Sequence, residues 1–331
     1  MRVLVVGGAG YIGSFVAREL AARGHGVTIL DNLRTGHREA AEGFDLVTGS
    51  CADADRTAEV MAGRGIDAVV HLAALSLVGE SVRDPGRYWR ENVGGAAGLL
   101  DACRRAGVRR FVLSSTAAIY GEPDRVPIPE DHPSRPTNPY GATKRAIEEM
   151  LGHFRAAAGL GWVSLRYFNA AGAMPDGSLG EDHEPETHLV PLVLRAALGL
   201  REELVVFGDD WPTPDGTCLR DYVHVLDLAR AHALALEWLE AHPGRALVCN
   251  LGGGHGTSVK EVLERAAAVT GREIPWRVGP RRAGDPAVLV AAVDRARVEL
   301  GWTPGRSSIE EILADAWAWH RSHPRGFATS S

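Results

Sequence analysis

Tyr140 and Lys144 stand four residues apart in "NPYGATKRAIEEM" (138–150), where Asn138-Pro139 closes a loop and a helix-forming run begins. Asn followed by Pro is a helix-start signal, and a four-residue spacing on a helix points both side chains the same way. A phenol in water loses its proton only near about pH 10. A neighbouring ammonium stabilises the phenolate, so the pair could act as a base and its electrostatic partner. Lysine is otherwise nearly absent: of 36 basic residues, only Lys144 and Lys260 are lysines. A compact ammonium with rotatable donors cannot be exchanged for a planar guanidinium without moving what surrounds it. "SSTAAIYG" (114–121) offers a hydroxyl partner, Thr116, at the end of an apolar run.

Positioning such groups requires a frame, and the first half of the chain supplies one. Short apolar runs, "VLVV" (3–6), "VTIL" (27–30), "DLV" (45–47), "AVVHLA" (68–73), "FVLSS" (111–115) and "VSLRYF" (163–168), alternate with longer helical patterns. Strands separated by helices imply a doubly wound parallel sheet with right-handed crossovers, and continuous apolar runs fit strands covered on both faces. The fold class expected is α/β, a Rossmann-like sheet with a smaller α/β substrate-binding lobe. Residues 1–170 form the expected dinucleotide-binding lobe, with return segments from about 220–250, and residues 171–325 the second lobe. An apolar helix is expected over 189–199, and the last residues, "GFATSS", read as a loose tail.

Between the first strand and first helix, "GGAGYIGS" sets Gly7, Gly10 and Gly13 three apart. Glycines there let backbone N–H groups approach a pyrophosphate at the positive end of a helix. The second strand ends at Asp31, whose carboxylate suits ribose hydroxyls and repels a 2′-phosphate, which favours NAD over NADP. Arg34 and Arg38 nearby weigh the other way.

The formal net charge of −6 offers no general attraction for nucleic acid or anionic lipid. The apolar run 3–6 is too short for a secretion signal, and no run approaches the roughly 18 residues of a membrane span. The four cysteines, Cys51, Cys103, Cys218 and Cys249, form no metal or redox pattern. A cytoplasmic enzyme with reduced thiols and no metal is the reading that follows.

The glycine turn, the hydroxyl after the fifth strand and Y-x-x-x-K together resemble an extended short-chain dehydrogenase/reductase. More narrowly, "LDNL", "VGESV", "ENVGG", "YGATK", "LRYFNAAGA", "FGDDWPTPDGTCLRDYVHVLDLA" and "NLGGG" resemble the UDP-glucose 4-epimerase family in order and spacing, over about residues 1–320. The resemblance implies an NAD-dependent reaction without net redox change, in which a sugar 4-hydroxyl is oxidised to a ketone and then reduced on its other face. Tyr140 would take the hydroxyl proton, Thr116 would hold the 4-oxygen, and Lys144 would also hold the nicotinamide ribose. Implied cofactor contacts are Gly7, Gly10, Tyr11, Ile12 and Gly13 at the turn, Asp31, Asn32 and Ser50 at the adenosine end, and Leu72, Ala73, Ala74 and Asn92 along the cleft. Ser114 and Tyr167 join Tyr140 and Lys144 near the nicotinamide.

Substrate handling is implied in the same way. Asn169, Arg220 and Arg282 resemble the contacts to the nucleotide diphosphate; Phe207 and Asp285 stand where the uridine is held; His188, Leu189 and Leu289 stand at the sugar. The family also often pairs through two helices of the first lobe, which implies a homodimer. Four departures are visible: Ser76 and the pair Gly49-Ser50 replace a lysine and an aspartate that often contact the cofactor, and His188 and Leu289 replace an asparagine and a bulky tyrosine. A leucine there leaves room for an N-acetyl group, so glucose-type, N-acetylated, uronic and TDP-linked sugars stay open. Related dehydratases carry Asp-Glu directly after the strand-five hydroxyl; this chain has Ala117-Ala118, which disfavours elimination.

Overall fold

The computed structural model of the chain describes residues 1–282 and 285–327. Seven parallel strands form one sheet: β1 (Arg2–Val6), β2 (Gly26–Asp31), β3 (Asp45–Thr48), β4 (Ala68–His71), β5 (Arg110–Thr116), β6 (Gly161–Tyr167) and a seventh, Ala246–Leu251. In space the seventh strand stands beside β6, followed by β5, β4, β1, β2 and β3. Six of these match the apolar runs of the sequence to within two residues. The seventh, "ALVCNL", pairs in parallel register with β6 and lies nearly eighty residues further along the chain.

Helices cover both faces, so the inner strands are buried throughout, with Val3 to Val5 and Val69 to Val70 at zero exposure. One core includes Phe15 and Leu20 of the first helix together with Leu228, Leu236 and Leu239 of helix Val225–Ala241; the opposite core includes Leu99, Leu100, Ile147 and Leu151. Helix 225–241 therefore packs back on the sheet, and Ala296, Leu300 and Trp302 join the same core.

A further core gathers Val193 and Leu194 of helix Leu189–Ala197, Val262 and Ala266 of helix Val259–Thr270, and Ile312 and Leu313 of helix Ile309–Ser322. Around it lie small sheets: Leu219–Arg220 pairs with Thr257–Ser258 and Val288–Leu289, Leu204–Phe207 pairs with Trp276–Gly279, and Asn169–Ala171 pairs with Tyr222–His224. The stretch expected as a loose tail is held at Phe327. Phe327 donates its N–H to Asp182 at 2.9 Å and packs its ring against His37 and Trp319; residues 328–331 lie outside the described residues. No helix among the described residues is long and apolar enough to cross a membrane.

Candidate active site

Because the sheet is parallel, the C-terminal ends of all its strands share one edge, where ligands of open α/β sheets bind. The glycine turn opens there. Gly7 has φ of +86° and abuts the Ala73 backbone, while a Cβ on Gly13 would strike the Gly7 carbonyl, so these two positions of the turn require glycine. The N–H groups of Leu72 and Ala73 both donate to Val6 O, at 2.8 and 3.0 Å, and hold that segment against the turn. Both oxygens of Asp31 are engaged: Oδ2 accepts from Ala9 N at 3.0 Å and Oδ1 from Leu33 N at 2.8 Å. Asp31 thus braces the turn at the end of β2, and a carboxylate oxygen has a second lone pair with which to accept from a ribose hydroxyl. Arg34, the candidate for a 2′-phosphate, is paired with Glu91 at 3.3 Å. Asn32 Oδ1 accepts from Arg34 N, and the exposed Ser50 hydroxyl accepts from Ala52 N. A dinucleotide fits this cradle.

The catalytic helix, Pro139–Ala158, starts as its sequence dictates. Asn138 caps it, Oδ1 accepting from Gly141 N at 2.9 Å, and Pro139 occupies the first turn, where no N–H is needed. Tyr140 and Lys144 consequently face the end of β5. The Tyr140 hydroxyl faces the Thr116 side chain, whose Oγ1 accepts from Ala118 N at 3.1 Å. Burial raises the Tyr140 phenol above its usual range, opposed by the Thr116 side chain. Lys144 is almost fully buried and donates to Ser114 O at 2.8 Å. Burial lowers its ammonium to about 8, partly countered by the Glu148 carboxylate one turn along. The amine is thus held on the strand-end carbonyl, and among the protein's groups Thr116 is what draws the phenol down. The expected ammonium assistance requires the further positive charge that a nicotinamide ring brings.

Ser114 and Tyr167, on neighbouring strands, share a short hydroxyl–hydroxyl hydrogen bond beside the pair. The Asn92 amide donates to Leu75 O at 3.0 Å and Thr143 Oγ1 at 3.1 Å and accepts from Leu75 N. Both amide protons are committed within the protein, so its side chain braces the segment after β4. Tyr11 is similarly anchored, its hydroxyl on Gly172 O at 2.7 Å, and Ile12 packs into the core below the turn.

Sequence reasoning missed what lies beneath the pair. Glu148 and Arg166 form a buried bidentate ion pair at 2.6 and 3.0 Å, and Ser115 and Ser164 also donate to Glu148, at 2.8 and 2.6 Å. Arg166 continues through Tyr120 to Asn250 on the seventh strand. A carboxylate one turn after Lys144 was the only part of this visible in the sequence.

The residues assigned to the nucleotide sugar are linked in a chain of contacts. Leu289 packs with Ala117, Tyr120 and Ile128 just beyond Thr116, and pairs in strand register with Arg220. Arg220 faces Asp285 at 3.9 Å, the Asp285 N–H donates to Arg282 O, and the Arg282 guanidinium lies 4.3 Å over the half-exposed Phe207 ring. Asp221 fixes this arrangement by accepting from the N–H groups of Gly253, Gly254 and Ala291. Asn169 is held beside it, its N–H on Asp221 O at 3.0 Å. His188 is the outlier: it caps the helix that begins at Leu189, but its Nδ1 is 2.7 Å from Glu181. Burial opposes the imidazolium, yet Glu181 lifts it to about 10. His188 is therefore committed to a carboxylate cluster that sequence reasoning did not single out.

Fold and site together define a dinucleotide-dependent α/β enzyme of the short-chain dehydrogenase type. Residues 3–252 match the NAD dependent epimerase/dehydratase family, and the chain belongs to it. The UDP-glucose 4-epimerase of Corynebacterium glutamicum is 55% identical over 320 residues, 96% of this chain and 95% of that protein. The structure of UDP-glucose 4-epimerase from Brucella ovis in complex with NAD superposes with a TM-score of 0.93 at 48% identity, covering 96% of this chain and 97% of that one. UDP-glucose-4-epimerase from Stenotrophomonas maltophila, with bound NAD and formylated UDP-arabinopyranose, gives a TM-score of 0.95 at 41% identity over 98% and 99% of the two chains.

Proposed function

We propose that this chain catalyses NAD-dependent epimerisation at C4 of a UDP-hexose, interconverting UDP-galactose and UDP-glucose through a transient 4-keto sugar. The observation that carries the reading is the single run of contacts from the Tyr140–Thr116 hydroxyl pair through Leu289 to Arg220, Asp285, Arg282 and Phe207. That run sets a proton-transfer pair at one end and phosphate- and base-binding groups at the other, as a nucleotide sugar requires. When bound, NAD would supply the reversible hydride acceptor that the reaction needs. Tyr140 takes the 4-hydroxyl proton and gives it back, Thr116 holds the 4-oxygen, and Lys144 supplies positive charge and ribose contacts. Residues 1–170 and the returning 220–250 segment serve the cofactor, and most of 171–325 serves the sugar nucleotide.

Ala117 and Ala118 occupy the turn after Thr116, so no acid or base stands there for an elimination, which supports epimerisation over dehydration. Incubation of NAD-loaded protein with UDP-galactose, followed by coupled detection of UDP-glucose, tests the reading; absence of product from folded, cofactor-bound protein would overturn it. A second reading, C4 epimerisation of a UDP-N-acetylhexosamine, rests on the small Leu289 beside Thr116. Leu289→Tyr should then depress turnover of N-acetylated sugars selectively, by about tenfold or more for one misfitting group, and equal loss on both sugar types refutes that gating role. We further propose a cytoplasmic homodimer, on the family resemblance and the reduced cysteines; light scattering on the purified chain tests the oligomer.

A further inference from the structure

Glu181, His183, Glu186 and His188 come from one loop, "EDHEPETH" (181–188), leading into helix Leu189–Ala197. One ligand-type atom from each lies within 4.8 Å of all the others. His188 Nδ1 is 2.7 Å from Glu181 Oε1 and 3.4 Å from Glu186 Oε1, while His183 Nδ1 is 3.1 Å from Glu181 Oε1 and 3.9 Å from Glu186 Oε2. In a tetrahedral site with metal–ligand bonds of about 2.1 Å, ligand atoms stand roughly 3.4 Å apart. These four contacts lie near that value, and since one atom from each residue falls within 4.8 Å of the rest, side-chain adjustment alone closes the set around an ion.

Glu186 supplies the second, independent observation. Its Oε1 accepts from the N–H groups of Thr187 and His188, at 2.7 and 2.8 Å, which fixes the carboxylate in place. Its Oε2 has no hydrogen-bond partner, although the side chain is only 1% exposed. A buried carboxylate oxygen left without a partner is costly, and this one is turned toward His183.

We propose that Glu181, His183, Glu186 and His188 form a binding site for one divalent zinc-class ion. Two imidazoles select such an ion over magnesium or calcium, which favour oxygen donors, and two carboxylates neutralise its charge. Four protein ligands leave no open position, so the ion is structural. It clamps the loop where three elements meet. Tyr11 of the first helix packs edge-on against His183 with ring centres 6.2 Å apart, Trp319 of helix 309–322 donates to Glu181 O at 3.0 Å, and His188 begins the helix carrying Leu189. The ion thereby ties the start of the dinucleotide cradle to the segment assigned to the sugar.

The test uses the full chain and readouts independent of turnover: zinc content by plasma mass spectrometry, and melting temperature during titration of chelator-stripped protein with zinc chloride or magnesium chloride. The site predicts about one zinc per chain, a melting temperature that falls on stripping, and recovery with zinc but not magnesium. Glu186→Gln keeps the backbone hydrogen bonds, remains folded by circular dichroism, and should bind zinc at least tenfold more weakly, with a melting temperature that no longer responds to zinc. His183→Asn should behave alike. Stripped wild-type protein that takes up no zinc and shows no thermal response, or a Glu186→Gln variant with wild-type zinc affinity, overturns the proposal and leaves the four side chains as two imidazolium–carboxylate pairs.

Discussion

The candidate proton-transfer groups and the candidate nucleotide-binding groups are held by different kinds of scaffold. Tyr140 and Lys144 ride on a 20-residue helix packed against the central sheet, and Thr116 and Ser114 end a seven-residue strand inside it. Arg220 and Leu289 sit on paired strands of two residues each, Phe207 ends a four-residue strand, and Arg282 and Asp285 lie outside any regular element. The first scaffold fixes chemistry to the sheet edge; the second can change its contacts without disturbing a core. Chemistry should therefore fail abruptly when the first side is altered, and affinity and selectivity should drift when the second side is.

The sharpest break is Tyr140→Phe. Removing the hydroxyl that faces Thr116 should lower kcat by about 10²- to 10⁴-fold, the usual worth of a general base, while NAD stays bound. Rate and cofactor content measured on the same preparation check it, and an unchanged rate would move the base elsewhere.

Next comes the floor beneath the pair. Arg166→Met strands the Glu148 carboxylate, which is 9% exposed. Leaving one partner of a buried ion pair costs about 3–5 kcal/mol, read as a fall in the urea midpoint. Arg166→Met combined with Glu148→Gln should recover much of that loss; if the double variant is as unstable as the single, packing and not charge explains the effect.

Lys144 sharpens the comparison through pH. Its folded value, lowered by burial to about 8, lies below the ordinary lysine value of about 10.4, so between the two the unfolded chain holds more protons and stability rises with pH. Below about 8 the cost of burying the ammonium is present in full. Lys144→Met should accordingly be more stable than wild type at pH 7, with the difference shrinking as pH climbs toward 10. A difference independent of pH would mean that Lys144 carries no burial cost. Function and stability oppose each other at this residue, as expected where a charge is buried for chemistry.

How much of each side could be read from the residues follows the same division. Continuous apolar runs mark strands buried on both faces, and chain order in a parallel sheet brings their ends together, so Gly7, Asp31, Thr116 and the Tyr140–Lys144 pair were legible. The seventh strand escaped because its partner, β6, lies nearly eighty residues earlier and the intervening lobe breaks the rhythm. The nucleotide-sugar residues were reached through family resemblance alone, since loops and two-residue strands carry no period. The same holds more strongly for the 181–188 loop. The spacing of Glu181, His183, Glu186 and His188 matches neither a helix face nor a strand face, and their convergence depends on the loop's path between Tyr11 and Trp319. Glu148 was hidden differently: its position one turn after Lys144 was visible, but its partner on β6 was not.

The smallest expected effect belongs to the looser side. Phe207 is 40% exposed, and its ring is met by the Arg282 guanidinium at 4.3 Å. A cation–π contact at so open a position is worth about 0.5–1 kcal/mol, and its more useful consequence is to hold Arg282 in place for a phosphate. Phe207→Ala should then raise KM for the UDP-sugar by roughly two- to fivefold with kcat unchanged, the signature of an interaction made equally in ground and transition states. Phe207→Leu keeps an apolar surface but lacks the ring, so a KM like that of the alanine variant assigns the effect to stacking, and a KM like wild type assigns it to apolar contact. A fall in kcat from either variant would mean that this remote end helps align the reacting carbon, and the division between a rigid chemical side and an adjustable binding side would no longer hold.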